Sequence, residues 1–304
     1  KAVFLNYHRV IKDDDLKQVN RINDDLIVTS SVFDKQIRYL KENFKIVSIN
    51  ELNDFKHDAN KKIVITFDDG YLDNFENALP ILKKYNCPAI IYVSTSFLDN
   101  IETPWWLTIS NLIASKNNII LNKKNYDISE KKNKSLIFDQ LSKKFIFLKK
   151  KNIDIFIQEI LHNNKFELTS KNDFLSTEKL IYLNSEKLID IGCHTHHHQN
   201  LKILSNRELD DEVRKSLNIL EKKLNSKIYH FSIPFGSKNT FSKNTFQRLS
   251  QFEFKTIVTT EHGIFRKENL LRIPRIGVGN YDNESRLYSK AIGLDSILNK
   301  LLLR

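Results

Sequence analysis

Eight short runs rich in Val, Ile and other apolar residues recur along this chain, at residues 2–6, 45–48, 63–67, 89–94, 189–192, 228–232, 256–259 and 273–278. Each is continuously apolar rather than alternating, which is the pattern of strands covered on both faces. Between them lie helical spacings: Val32, Phe33, Ile37 and Leu40, then Phe75, Ala78, Leu79 and Leu82, then Leu209, Val213, Leu217, Leu220 and Leu224. Ser205, with Glu208 three residues later, reads as a capping box that opens the last of these. Strand and helix therefore alternate, which predicts an α/β fold with a parallel sheet, open or closed into a barrel. Ligands in such folds collect beyond the carboxyl ends of the strands, so chemistry is sought in the residues just after each strand.

The chain has 304 residues, enough for one large domain with a sizeable core. One stretch, about residues 107–172, breaks the rhythm with Lys- and Asn-rich sequence such as EKKNK and KKFIFLKKKN. It is expected to be a helical insertion packed on the outside of a single domain spanning 1–304. The formal net charge of +11 invites an anionic partner, but Lys, Asn and Ile abound throughout, and nothing resembles a nucleic-acid-binding motif. With only Cys87 and Cys193, the chain has no disulfide scaffold and no four-thiolate metal site, so a metal must be held by His and carboxylate. No apolar run reaches the ~18–20 residues of a membrane span. The reading without a leader is cytoplasmic, with peripheral membrane association of the Lys-rich segment or the apolar run 297–303 as a lesser use. The periplasm or secretion is the alternative if a signal segment was removed.

Two strand ends carry the chemistry. KKIVITFDDG at 61–70 ends an apolar strand with two carboxylates, Asp68 and Asp69, and IGCHTHHHQN at 191–200 puts four histidines in five residues. Buried imidazoles each need a partner, so core packing explains such density poorly. Two His and one carboxylate suit an open catalytic divalent site, which makes His194, His198 and an Asp of the first motif a sensible set; spacing leaves His196 and His197 open as ligands. TPWWL at 103–107 holds both tryptophans, Trp105 and Trp106, readable either as a sugar-stacking wall or as core anchors.

TFDDG at 66–70 and H-T-x-x-H at 194–198 resemble the first two motifs of the polysaccharide deacetylase family, carbohydrate esterase family four, also called the NodB-homology domain. NYHRV at 6–10, NALPILKKYNCPAIIYV at 77–93, HFSIPFG at 230–236 and RIPRIGV at 272–278 extend the likeness to nearly the whole chain outside the Lys-rich segment. The resemblance implies a distorted (β/α)7–8 barrel and a metal-dependent hydrolase that removes the N-acetyl group of an amino sugar. The implied substrate is a surface polysaccharide, its lipid-linked precursor or a related saccharide, N-acetylated glycan or glycolipid. It also implies Asp69, His194 and His198 as ligands of a divalent metal, Zn2+ by default with Ni2+ or Co2+ as alternatives, and Asp68 as general base.

The family's Leu-x-His general acid near the C-terminus has no counterpart here. A branch acting on poly-N-acetylglucosamine uses an early Tyr-His, which Tyr7–His8 matches; His8 is preferred as the acid over His262. Ser232 stands where the family's R-x-P-Y has the base-orienting arginine, so Arg275 or Arg272 is expected to supply the guanidinium. Phe235 replaces the tyrosine, which leaves its backbone N–H as the oxyanion donor. The departures also raise a second reading, a catalytically weak member that binds glycan through the tryptophan pair.

Overall fold

The structure, a computed structural model, describes residues 1–17, 26–54, 61–168, 172–266 and 269–294. The apolar run 297–303 and His57 lie outside the described residues.

All eight apolar runs enter one sheet, with every pairing parallel. Its central strands run Thr256–Val258, His230–Ser232, Ile189–Cys193, Ala89–Val93, Lys62–Phe67, Ala2–Tyr7 and Ile276–Gly277, in that spatial order, while Lys45–Ile46 joins at the amino end of Lys62–Phe67. The segment leading into the last strand also reaches the opposite edge. Ile273 forms a parallel bridge to Val258, with Ile273 N–H donating to Ile257 O at 2.8 Å. Five residues of chain thus touch both edges of the sheet, and the curl closes as a distorted barrel.

The two-residue period of a strand sorts its side chains into two cores. Val3, Leu5, Tyr7, Ile63, Ile65 and Phe67 face the helical layer, where helices Ser30–Asn43 and Asn206–Leu224 bury their apolar stripes. Ala2, Phe4, Val64, Ile90 and Tyr92 fill the barrel interior. The same alternation continues to the strand ends, so Asn6, Thr66 and Asp68 all belong to the interior face. The expected capping box is present: the Ser205 side chain accepts from Glu208 N–H, and the Glu208 carboxylate accepts from Ser205 N–H.

The Lys-rich stretch differs from the expectation in two respects. Besides helices Trp105–Ser115, Lys131–Phe145 and Lys150–Asn163 it contains an antiparallel hairpin, Asn118–Leu121 with Lys124–Asp127, turning through Asn122 and Lys123 at positive φ. It also has its own core, in which Trp105, Ile109, Ile113, Phe138, Leu141 and Phe145 pack together, and that core reaches Phe235 and Tyr71 of the barrel. The segment is therefore not an ornament on the barrel's outside; it stands over the carboxyl ends of the strands. Among the described residues, no helix is long and apolar enough to cross a membrane.

Candidate active site

Asp68 and Asp69 leave strand Lys62–Phe67 in a sharp turn, with Asp69 at φ +77° and Gly70 at φ +77°. A positive φ at a non-glycine residue is uncommon and must be held by its surroundings. Here the turn sends two consecutive carboxylates into different partners. Asp68 stays on the interior face. Arg275 grips it with both arms, Nη1 to Oδ1 at 2.8 Å and Nη2 to Oδ2 at 2.6 Å, while Asn6 Nδ2 donates to Oδ2 at 3.3 Å. Burial pushes this carboxyl up, but the guanidinium and its hydrogen bonds outweigh it and hold the group well below the usual range, as an anion.

Asp69 meets the histidines. Its Oδ1 lies 3.5 Å from His194 Nε2 and 3.4 Å from His198 Nε2, and all three residues are buried. Oδ1 has no hydrogen-bond partner, and burial together with neighbouring Asp68 drives the carboxyl well upward. His194 Nδ1 lies 2.8 Å from the carbonyl of Ser232; a carbonyl only accepts, so Nδ1 carries the hydrogen and Nε2 keeps its lone pair toward Asp69. One carboxylate oxygen and two imidazole nitrogens that converge with no hydrogen bond to that oxygen fit a divalent cation, and these three form the one such group among the described residues. His196 and His197 point elsewhere. His196 Nδ1 pairs with Thr95 Oγ1 at 2.8 Å and His197 Nδ1 with Glu212 Oε1 at 2.5 Å.

Arg275 is fully buried and spends its donors on the end of the barrel: Thr259 O, Asn6 Oδ1, Thr66 Oγ1, both Asp68 oxygens and Ser232 Oγ at 2.9 Å. The small Ser232 thus leaves room for a guanidinium that arrives from the closing segment. Arg272 does not reach Asp68. It forks onto Glu261, Nε to Oε2 and Nη2 to Oε1, both at 2.8 Å, nearer the surface, which corrects the expectation that placed it as an alternative to Arg275.

These groups line one cleft of about 620 Å³. His8 enters it directly after strand Ala2–Tyr7, and burial pulls its pKa to about 4, with Asp68 opposing and Arg275 and His194 assisting. His262 also lines the cleft, but on an exposed loop at its rim. Phe235 sits at φ +59° beside Gly236 at φ +61°, its ring 4.6 Å from that of His198. At position 236 a Cβ would come within 2.5 Å of Thr260 N, so glycine is required there.

Trp105 and Trp106 line the cleft from the inserted helix, yet are only 9% and 8% exposed. Trp106 Nε1 donates to Tyr71 Oη at 2.9 Å, and its ring packs edge-on against His198 at 4.9 Å. Both are core anchors whose edges reach the cleft rather than a displayed platform. Sequence reasoning missed the rest of that wall: Phe138, Lys143, Ile146 and Phe147 come from the Lys-rich segment, which the sequence reading packs on the outside of the domain. It also missed Asn6 and Thr66, although strand periodicity alone puts them on the face of Asp68.

The family model described as Polysaccharide deacetylase matches residues 56–120 and 130–257. The poly-beta-1,6-N-acetyl-D-glucosamine N-deacetylase of Staphylococcus epidermidis is 32% identical over 111 residues, covering 32% of this chain and 37% of that protein. The chain spans about a third of the length of the curated relatives it matches. Among solved structures, the Streptococcus pyogenes deacetylase PplD superposes with a TM-score of 0.61 at 19% identity, over 95% of this chain and 96% of that one. IcaB from Ammonifex degensii gives 0.63 at 17% identity, over 95% and 96%. At these identities the structural likeness speaks for the distorted barrel, while the family model speaks for descent. The chain belongs to the polysaccharide deacetylase family.

Proposed function

We propose that this protein hydrolyses the N-acetyl group of an amino sugar in a surface polysaccharide, its lipid-linked precursor or a related saccharide. One observation carries the reading: a buried Asp69–His194–His198 set lies beside an arginine-held Asp68 in a single cleft. The name of the staphylococcal relative supports an N-acetylated glycan as the substrate class. The donor set suits Zn2+, with Ni2+ or Co2+ as alternatives. A divalent ion at the three residues supplies Lewis acidity toward the acetamide carbonyl and lowers the pKa of water.

The chain's own groups do the rest. Asp68, held anionic and oriented by Arg275, accepts the proton that the attacking water gives up. Burial keeps His8 neutral at pH 7, so the proton it gives to the leaving nitrogen is the one that Asp68 took from the attacking water, handed on within the cleft that both residues line. The C–N bond then breaks, leaving a free amine and acetate. The Phe235 N–H is assigned to the developing oxyanion, at a turn held in the left-handed region. The rival reading, a glycan-binding module built on Trp105 and Trp106, is disfavoured because both rings are buried.

The test is acetate release from N-acetylglucosamine oligomers by native protein, chelator-treated protein and Asp68→Asn. Release that is lost on chelation and restored by Zn2+ is expected, with Asp68→Asn slower by ~10²-fold or more. Equal rates in all three samples would overturn the reading.

A further inference from the structure

The loop carrying His198 is strained. Thr195 has φ +65° and His198 has φ +52°, two non-glycine residues in the left-handed region within four positions. Relaxation of this backbone to negative φ would carry the His198 ring away from Asp69, so the conformation must be held by its surroundings. Part of the restraint is local, since His198 N–H donates to Thr195 Oγ1 at 3.1 Å. A second restraint comes from Glu212, on the helix Asn206–Leu224, in no motif read from the sequence.

Glu212 is 6% exposed, and its carboxylate takes three hydrogen bonds from the two residues flanking the ligand. His197 N–H donates to Oε2 at 2.8 Å, His197 Nδ1 lies 2.5 Å from Oε1, and Gln199 Nε2 donates to Oε1 at 2.9 Å. The clasp then extends outward. Gln199 Oε1 accepts from Lys150 N at 2.8 Å, at the start of the inserted helix Lys150–Asn163. One buried carboxylate therefore holds the His197 backbone and ring on one side of His198 and the Gln199 side chain on the other, and through Gln199 it ties that loop to the segment forming the cleft's apolar wall.

We propose that Glu212 is a positioning residue for the metal centre, acting through His197 and Gln199 to hold His198 in its ligating conformation. The inference rests on the reading of Asp69, His194 and His198 as ligands. Outer groups that orient metal ligands typically contribute about 10–100-fold in affinity, and Glu212 is expected to act at this scale.

The experiment measures Zn2+ dissociation constants by competition with a chromophoric chelator, and Co2+ d–d absorption, on the whole chain. Glu212→Gln keeps the volume and is expected to weaken Zn2+ about 10-fold or more and to alter the Co2+ spectrum, with far-UV circular dichroism unchanged. Gln199→Ala, at a half-buried position, removes one of the three bonds and is expected to weaken Zn2+ in the same direction by less; it serves if Glu212→Gln does not fold. Asp211→Ala, which removes an exposed pair with Arg207 on the helix that carries Glu212, is expected to leave the constant unchanged. Wild-type affinity in folded Glu212→Gln, or in Gln199→Ala where the first variant does not fold, overturns the inference. A wild type that binds no stoichiometric ion overturns the underlying reading of the ligands instead.

Discussion

Replacing Arg275 by Met tests the most consequential feature of the site, because the barrel end is built around that guanidinium. The substitution keeps much of the side-chain volume but removes six hydrogen bonds, two of them to Asp68. Asp68 is 2% exposed, so it cannot recover water in place of the lost partner. Removing one member of a buried ion pair typically costs about 3–5 kcal/mol, since an uncompensated charge is left behind. Native domains have only about 5–15 kcal/mol in total, so a loss of this size is readily measured. Asp68→Asn strands the guanidinium in the same way, although Asn6, Thr66, Ser232 and Thr259 still receive it. Its cost should therefore be somewhat smaller. The double variant strands neither charge, so it should be more stable than the sum of the single losses predicts, by about 2 kcal/mol or more. Urea unfolding of the four proteins after chelator treatment, so that no ion couples to the measurement, gives the cycle. Additivity within about 0.5 kcal/mol would show that the two side chains do not depend on each other, and would refute the account of Arg275 as the group that holds Asp68.

His230 gives a pH test away from the chemistry. It is buried between Thr256 Oγ1 at 2.9 Å and Asn50 Oδ1 at 3.1 Å, and burial, assisted by Lys255, pulls its pKa from 6.5 to about 4. The folded protein thus favours the neutral ring, and the unfolded chain binds the extra proton between those values. Stability is lost as pH falls from 6.5 to 4, by about 3 kcal/mol from this residue; unfolding free energies at pH 7 and pH 4 should differ less in His230→Asn by that amount, and an equal difference would contradict the assignment. Gly236→Ala is expected to destabilise by about 2 kcal/mol or more in thermal melts, combining a left-handed φ with a Cβ 2.5 Å from Thr260 N, whereas Ser237→Ala next door should stay within about 0.5 kcal/mol.

The eight strands were legible because each is a run buried on both faces, and the ligand set because His194 and His198 follow one such run while Asp69 follows another. What escaped were features decided by chain segments far apart in sequence. The inserted hairpin turns through Asn122 and Lys123, where neither Gly nor Pro advertises a turn, and its strand Lys124–Asp127 is exposed throughout, with no apolar pattern to read. Glu212 looks like any polar residue on an amphipathic helix, because its burial comes from the histidine loop folding over it.

The arginine question shows the same limit more sharply. A serine at 232 reads as a loss so long as function is compared position by position, and residues 272 and 275 are equal candidates to replace it. They are separated by register. Parallel pairing of Leu5 with Ile276 and Asn6 with Gly277 lays the closing segment against the first strand. The Ile273–Val258 bridge fixes its other end, so Arg275 is caught between the two sheet edges and must point into the barrel, while Arg272 precedes the bridge and turns out to Glu261. What the site requires is a guanidinium at a place in space, and closure of the barrel lets either edge of the sheet provide it.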